Sequence, residues 1–278
     1  MKRKTIIYFF VIFVILILFL YYQNNSIVIT DYTYESNKIS SSFNNFKILQ
    51  ISDLHNAEFG KNNKRLIKVI NDVKPGVIFI TGDLIDRDRT DLKIIDNLLK
   101  NIKFKTYYIT GNHEYSSSVY EDLKAILNKY DVYILENTYK IISVKDENIE
   151  LYGINDPSLV ASTRNLSDKE IVDDEIVSVL EDNNNFKILL SHRPELLNEY
   201  SKYNFDLVFA GHAHGGQIRV PFIGGLYAPH QGVFPKYTKG KYTRNDTAMY
   251  VSRGLGNSVF PQRIFNRPEV VIVTFKKI

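Results

Sequence analysis

Short apolar runs alternate with amphipathic stretches along most of this chain. Residues 46–52 (FKILQIS), 76–82 (GVIFITG), 105–111 (KTYYITG), 186–192 (FKILLSH) and 206–212 (DLVFAGH) are nearly continuous in apolar character and bounded by Gly, Ser, Asp or Lys. That is the pattern of strands buried on both faces. Between them, residues 63–74, 90–102, 119–130 and 167–182 repeat apolar positions at helical spacing. The last of these opens with Ser167 three residues before Glu170, a capping-box signature. A further helix is expected between residues 192 and 206. Residues 27–33 read as a first strand and 35–46 as a polar loop. Residues 132–154 read as consecutive strands joined by turns, and TAMYVSRGLG and PEVVIVTFKK as strands near the end. The alternation predicts an α/β architecture with mixed sheets. No linker divides residues 26–278, which are expected to form a single catalytic domain.

The first 25 residues have a different pattern. Three positive charges precede an uncharged stretch from Thr5 to Tyr22. At about 1.5 Å per residue it spans roughly the hydrocarbon thickness of a bilayer. Tyr21 and Tyr22 stand where an interfacial aromatic belt is expected. A cleaved signal peptide would need a small-residue cleavage site, and FLYYQNNS has none. Residues 1–25 are therefore expected to be an uncleaved signal anchor, a single transmembrane helix in the cell membrane. The positive-inside rule leaves the rest extracytoplasmic.

Charge and composition narrow the partners. The formal net charge is +4, and Lys2, Arg3 and Lys4 supply most of it. The remainder is close to neutral, which argues against a nucleic-acid partner. The chain has no cysteine, so disulfides, thiolate metal sites and cysteine nucleophiles are excluded.

Chemistry collects at strand ends. QISDLH carries Asp53 and His55, FITGDLID Asp83, YITGNHEY Asn112 and His113, LLSH His192, and FAGHAH His212 and His214. Ligands of α/β sheets gather at the carboxyl ends of strands, and five of the six histidines lie there, all but His230. Singly, an Asp or Asn after a strand is often only a turn former. An i, i+2 histidine pair on an extended segment would point to one face, and the glycines after it fit a sharp turn. Asp53, His55, Asp83, Asn112, His192, His212 and His214 make seven candidate metal ligands. A single ion of about four to six ligands cannot use them all, whereas two ions sharing one bridging carboxylate can. The nitrogen and oxygen donors suit Mn²⁺, Fe²⁺/Fe³⁺, Zn²⁺ or Ni²⁺ better than Mg²⁺ or Ca²⁺. Two ions roughly 3.5–4 Å apart suit in-line displacement at phosphorus, with a bridging water ionised near neutral pH. Weaker candidates are Asp86 as a support or helix cap, Arg193 as a phosphate contact or a surface residue, and His230 as a structural or rim residue. Tyr227 and the turn-rich stretch 221–240 could wall the site or form a packed loop.

The order D-x-H, GD, GNH, H, GH-x-H resembles that of the calcineurin-like metallophosphoesterase superfamily, from about residue 47 to the C-terminus. SRGLGNSVFPQRIFNRPEVVIV (252–273) and GHAHGGQIRVPFIGGLYAPH are similar to segments of its bacterial membrane-anchored phosphoesterases. The resemblance implies a four-layer α-β-β-α sandwich of two mixed sheets. It implies one metal on Asp53, His55, Asp83 and His214, and a second on Asp83, Asn112, His192 and His212. It also implies that His113 assists the leaving group, although His113 could instead orient Asn112. The expected activity is hydrolysis of phosphoesters, diesters first, on lipid- or envelope-linked substrates, by attack of a metal-bridging hydroxide. The alternatives are a phosphomonoesterase of the same fold and a non-catalytic, metal-stabilised envelope scaffold.

Overall fold

The structure, a computed structural model, describes residues 2–258 and 260–278, with the side chains of all but Lys2 and Ser162. Met1, in the expected anchor, and Val259, in the 252–273 segment, lie outside the described residues. Two six-stranded sheets form the centre. The first contains β1 (Val28–Ser36), β2 (Lys47–Ile51), β3 (Val77–Thr81), β4 (Thr106–Ile109) and β5 (Tyr133–Ile134). The second contains β6 (Thr138–Val144), β7 (Glu147–Gly153), β8 (Lys187–Leu190) and β9 (Leu207–Ala210). Two small hairpins follow: β10 (Arg219–Val220) with β11 (Gly224–Gly225), and β12 (Tyr227–Ala228) with β13 (Gly232–Val233). β14 (Gly240–Arg244) and β15 (Thr247–Val251) complete the second sheet, and β16 (Glu269–Lys277) returns to the first.

The strand orders are β1-β16-β2-β3-β4-β5 and β14-β15-β9-β8-β7-β6. β2, β3, β4 and β5 run parallel, as do β7, β8, β9 and β15. β16 is antiparallel to β2, and β6 and β14 are antiparallel to their neighbours, so both sheets are mixed.

Side-chain alternation along the strands explains the layers. Ile48, Val77, Phe79 and Tyr107 of the first sheet meet Ile188, Leu190, Phe209 and Tyr250 of the second in one central core. Phe79 and Phe209 meet edge-on across it, ring centroids 5.2 Å apart. The intervening positions face outward. Leu49, Ile78, Ile80 and Tyr108 pack under α2 (Lys64–Val73), α3 (Leu92–Leu99) and α5 (Tyr120–Lys129). Leu189, Val208 and Met249 pack under α7 (Asp168–Val179) and α8 (Leu197–Tyr200). The short α4 (Asn112–Tyr115) and α6 (Ala161–Arg164) lie in loops. The result is the expected α-β-β-α sandwich.

Several boundaries differ from the sequence pattern. β1 extends to Ser36, into the expected loop, because all nine of its residues pair in parallel with β16. The helix expected between 192 and 206 reduces to a turn at Pro194–Leu196 followed by α8. The strand expected to reach His212 stops at Ala210, where the backbone turns. α1 (Lys2–Asn25) stands outside the sandwich with most of its apolar side chains exposed, and among the described residues it is the one helix long and apolar enough to cross a membrane.

Phe209→Ala should destabilise the domain by about 3–5 kcal/mol through the cavity it leaves between the sheets. Chemical denaturation measures this, and a loss below about 1 kcal/mol would contradict the two-sheet core.

Candidate metal centre

Backbone turns at the strand ends aim the polar side chains at one another. Asp53, His55, Asp83, His212 and His214 all have positive φ, between 45° and 65°. Such conformations are uncommon for residues with a Cβ and cost free energy unless their surroundings hold them. Those surroundings are a set of interlocked loops. Asp53 N–H donates to Gly82 O, His55 N–H to Asp83 O, and Gly211 N–H to His192 O, at 3.0–3.2 Å. Buried Gln50 donates to Thr81 Oγ1 and to Ala210 O, both at 2.9 Å, tying the two sheets together directly beneath. Glycine is required where loops cross. A Cβ on Gly211 would lie 1.9 Å from Ser52 Oγ, and one on Gly111 would lie 2.3 Å from Asp83 Oδ1.

Three groups of ligand-type atoms result among the described residues: His55, Asp86 and His113 form a group that shares only His55 with the others, and two further clusters share Asp83. Asp53, His55, Asp83 and His214 form one, and Asp83, His192 and His212 the other, with the atoms of each group within 4.8 Å of one another. Asp83 Oδ2 is 3.5 Å from His55 Nε2 and 3.2 Å from His192 Nε2. His55 Nε2 and His214 Nε2 face each other at 3.2 Å. Asp53 Oδ1 is 3.5 Å from His214 Nε2 and accepts from His212 N–H at 2.9 Å. His192 Nδ1 donates to Thr81 O at 2.7 Å, which turns Nε2 toward Asp83. Asn112 begins α4 beside the second cluster, and its Oδ1 is buried with no hydrogen-bond partner. His192 Nε2, which faces Asp83, is equally unpartnered; His55 and His214 instead turn Nε2 into the cluster, and their unpartnered Nδ1 atoms lie away from it. Buried polar atoms are rarely left so, and convergent lone pairs at this spacing fit bound cations.

The titration directions agree with that fit. Burial pushes His55 down to about 4 and holds His212 and His214 well below the usual histidine range, all in the neutral form that ligates metal. Burial disfavours the Asp83 carboxylate, but His192 beside it overrides this and holds the group well below the usual range. Burial, with Asp83 adding to it, raises Asp53 to about 6. Burial opposes a charge on His192, yet Asp83 and Asp53 bring it up to about 10, so a proton sits where a cation would be attracted. Metal binding should therefore release protons.

Other sequence candidates take different places. His113 lies beside His55, ring centroids 4.5 Å apart, and its N–H donates to Asp83 Oδ1 at 2.9 Å. Its Nδ1 accepts from Arg87 N–H at 3.2 Å, which leaves Nε2 as the donor nitrogen, 3.4 Å from Ser258 Oγ. Asp86 caps its own turn by accepting from Asp88 and Arg89 N–H. Arg193 is not at the surface. It is buried and paired bidentately with Asp156 at 2.5 and 2.8 Å, with Nη1 3.4 Å from His212 Nε2. Its guanidinium is thereby committed to the protein. His230 is half-exposed and stacks near His212 at 5.3 Å, a rim position. Residues 221–240 form the two small hairpins, with Tyr227 exposed. His212 and His214 sit in a turn, not on the extended strand that was expected, and their rings fall in different clusters.

The sequence reading missed Glu114. This fully buried carboxylate accepts from the N–H groups of Asp83, Leu84, Ile85 and Gly111 at 2.7–3.2 Å. It staples the loop after β3 to the loop after β4 and so fixes Asp83 relative to Asn112. The available signal was its place at the third position of a helix opening with Asn112, where a carboxylate reaches back to free amides.

A family model described as calcineurin-like phosphoesterase matches residues 46–216. The chain is similar to an uncharacterized metallophosphoesterase of Bacillus subtilis, YkuE, at 33% identity over 265 residues, covering 90% of this chain and 86% of that protein. It is similar at 27% identity to a Bos taurus transmembrane protein with metallophosphoesterase domain, covering 87% of this chain and 55% of that one. Among solved structures, TT1561 of Thermus thermophilus matches with a TM-score of 0.51 at 12% identity, covering 76% of this chain and 90% of that one. That likeness concerns the fold.

Glu114→Gln keeps the shape but presents an NH₂ group to amides that need an acceptor. It should lower stability by about 1–3 kcal/mol and weaken metal retention. Thermal unfolding with and without added Mn²⁺ reads both effects, and an unchanged melting temperature in both conditions would contradict the staple.

Proposed function

The chain belongs to the calcineurin-like phosphoesterase family and is a metal-dependent phosphoester hydrolase; from that premise we propose a membrane-anchored enzyme that uses two metal ions to cleave phosphodiesters. The observation that carries the reading is Asp83, whose carboxylate belongs to both ligand clusters at once. Asp53, His55, Asp83 and His214 would hold one ion, and Asp83, Asn112, His192 and His212 the other. Two such ions supply Lewis acidity toward the phosphate and an activated water.

The chain's own residues supply the rest. Asp83 and Asp53 bring negative charge that draws cations and a phosphate's counter-charge into a buried pocket. Glu114 and the glycines keep the side chains positioned before substrate arrives, so little reorganisation is needed during reaction. His113 is oriented by the Arg87 amide with Nε2 as its donor nitrogen. From there it would donate a hydrogen bond to the leaving oxygen and stabilise the charge that develops on it. A cavity of about 360 Å³ opens beside it, lined in part by His55, Asp86, Asn257, Ser258 and Pro261. Space on the leaving-group side supports an ester with an organic substituent there.

Residues 1–25 are proposed as the anchor and 26–278 as one catalytic domain. The exposed apolar α1 supports a single span, and the basic residues before it support an extracytoplasmic domain.

With Mn²⁺, the full chain should hydrolyse bis(p-nitrophenyl) phosphate faster than p-nitrophenyl phosphate, and the reverse preference would replace the diesterase with a monoesterase. Asp83→Asn should lose both metal and activity; absence of activity in the unaltered chain at full metal loading would favour a scaffold. His113→Asn should reduce turnover on the order of 10²–10⁴-fold with metal content intact. Loss of metal in parallel would assign His113 to orienting Asn112 instead.

A further inference from the structure

α1 does not leave the domain on a free tether. Its final turns are fastened to residues 260–267. Gln262 Nε2 donates to Leu20 O, Asn24 Nδ2 to Pro261 O, and Arg263 N–H to Asn24 Oδ1 at 2.8 Å. Arg267 donates to Tyr22 OH at 2.6 Å and lies over its ring. Phe265 packs edge-on against Phe19, ring centroids 5.6 Å apart. Phe19 stands six residues before the end of α1 at Asn25, which is about 9 Å along the helix axis. A side chain that touches Phe19 therefore lies at the depth of the helix's apolar segment.

Phe265 is itself exposed, and it has exposed apolar neighbours. It shares a surface hollow with Phe222, Ile223, Arg219 and Lys239. Phe222 is fully exposed and Ile223 is 66% exposed, although ordinary folding would hide both. Val233 and Phe234 are exposed on the next hairpin, and Phe234 N–H is bonded to Leu226 O. The Arg219 guanidinium donates to Gly215 O and Thr238 Oγ1, and among the described residues neither Arg219 nor Lys239 forms an ion pair. An apolar tip rimmed by uncommitted cations is what a surface needs to enter the boundary between acyl chains and anionic headgroups.

The same loops border the metal cluster. Pro261, whose carbonyl accepts from Asn24 of α1, lines the cavity that contains His55. Asn266, next to Phe265, donates to His214 O at 2.7 Å. Gly216, two residues after His214, packs backbone to backbone against Gly225 of the first hairpin.

We propose that the hairpins of residues 219–239 and the loop of residues 260–265 insert into the leaflet from which α1 emerges, so that the metal cluster opens at headgroup level onto phosphoesters of membrane lipids. This inference rests on the anchored-enzyme reading above. The bilayer is the occupant because a membrane-crossing helix already touches the patch. A protein or a second copy would have to compete with lipid for that position.

The lack of native cysteine allows clean single-site labelling of the full chain. Ile12→Cys, Phe222→Cys, Val233→Cys and Val177→Cys would each carry a polarity-sensitive fluorophore in vesicles of phosphatidylglycerol and phosphatidylethanolamine. Quenchers would be fixed in the acyl chains. Quenching is expected at Ile12, Phe222 and Val233 and not at Val177, an exposed apolar residue on α7. Quenching at Ile12 alone would overturn the inserted collar and leave the anchor standing. Absence of quenching at Ile12 would overturn the anchor reading and the collar with it. A Phe222 probe shielded from water but not quenched would point to a protein occupant and overturn the proposal. In a second arm, the double variant Phe222→Ser with Ile223→Ser should raise the apparent KM for vesicle-borne phosphatidylglycerol by about tenfold or more. Turnover of soluble bis(p-nitrophenyl) phosphate should stay unchanged. An unchanged KM for the lipid, or equal losses on both substrates, would overturn the lipid-phosphoester assignment.

Discussion

The site depends on one carboxylate that must stand between two groups of imidazoles. Asp83 Oδ2 lies 3.5 Å from His55 and 3.2 Å from His192, and no other side chain belongs to both ligand clusters that contain it. Holding a carboxylate there means burying charge, which is costly unless partners compensate. The His113 backbone N–H donates to its other oxygen at 2.9 Å, and His192 keeps it ionised. Its backbone needs positive φ, and Gly82 before it, at φ 87°, could not carry a Cβ without meeting His192 Nδ1. Asp83 is thus fixed by its neighbours on both sides of the chain and on both sheets.

The sandwich exists, in functional terms, to bring those neighbours together. β2, β3 and β4 end on one sheet, and β8 and β9 end on the other, with their loops meeting over the shared core. Phe79 against Phe209 sets the spacing of the sheets, and Gln50 sets their register close to the site by bonding Thr81 and Ala210. Glu114 and the bidentate pair of Arg193 with Asp156 then stiffen the loops. Arg263 does the same for the C-terminal loops, donating from complete burial to the carbonyls of Arg253, Gly256 and Asn266. Rigid positioning of this kind is what allows a metal site to be ready before substrate binds.

The strands and the six clustered residues, Asp53, His55, Asp83, His192, His212 and His214, were legible because they obey local rules. Buried parallel strands read as short apolar runs, and functional groups follow them directly in sequence. What escaped was set by contacts between distant segments. Glu114 looked like an ordinary helix residue until the loop after β3, about thirty residues away, folded over it. Arg193 looked free because Asp156 is 37 positions earlier. The backbone of the His212 and His214 pair was misread: strand spacing predicted an extended segment, whereas both residues have left-handed backbone in a turn, from which their rings fall in different clusters. The docking of α1 on residues 260–267 had no local signature, since Asn24, Gln262 and Asn266 are polar residues of the kind found in any loop.

Together these features describe a catalytic pocket built at strand ends and opening beside the helix that would hold it in a membrane. The central claim is that Asp83 serves two ions at once. Titration of the metal-free full chain with Mn²⁺, following bound metal, hydrolysis and the electron paramagnetic resonance spectrum together, tests it most directly. The account predicts activity that saturates at two Mn²⁺ per chain, with a spectrum of spin-coupled ions. Full activity at a single Mn²⁺ per chain, with an uncoupled spectrum, would contradict it.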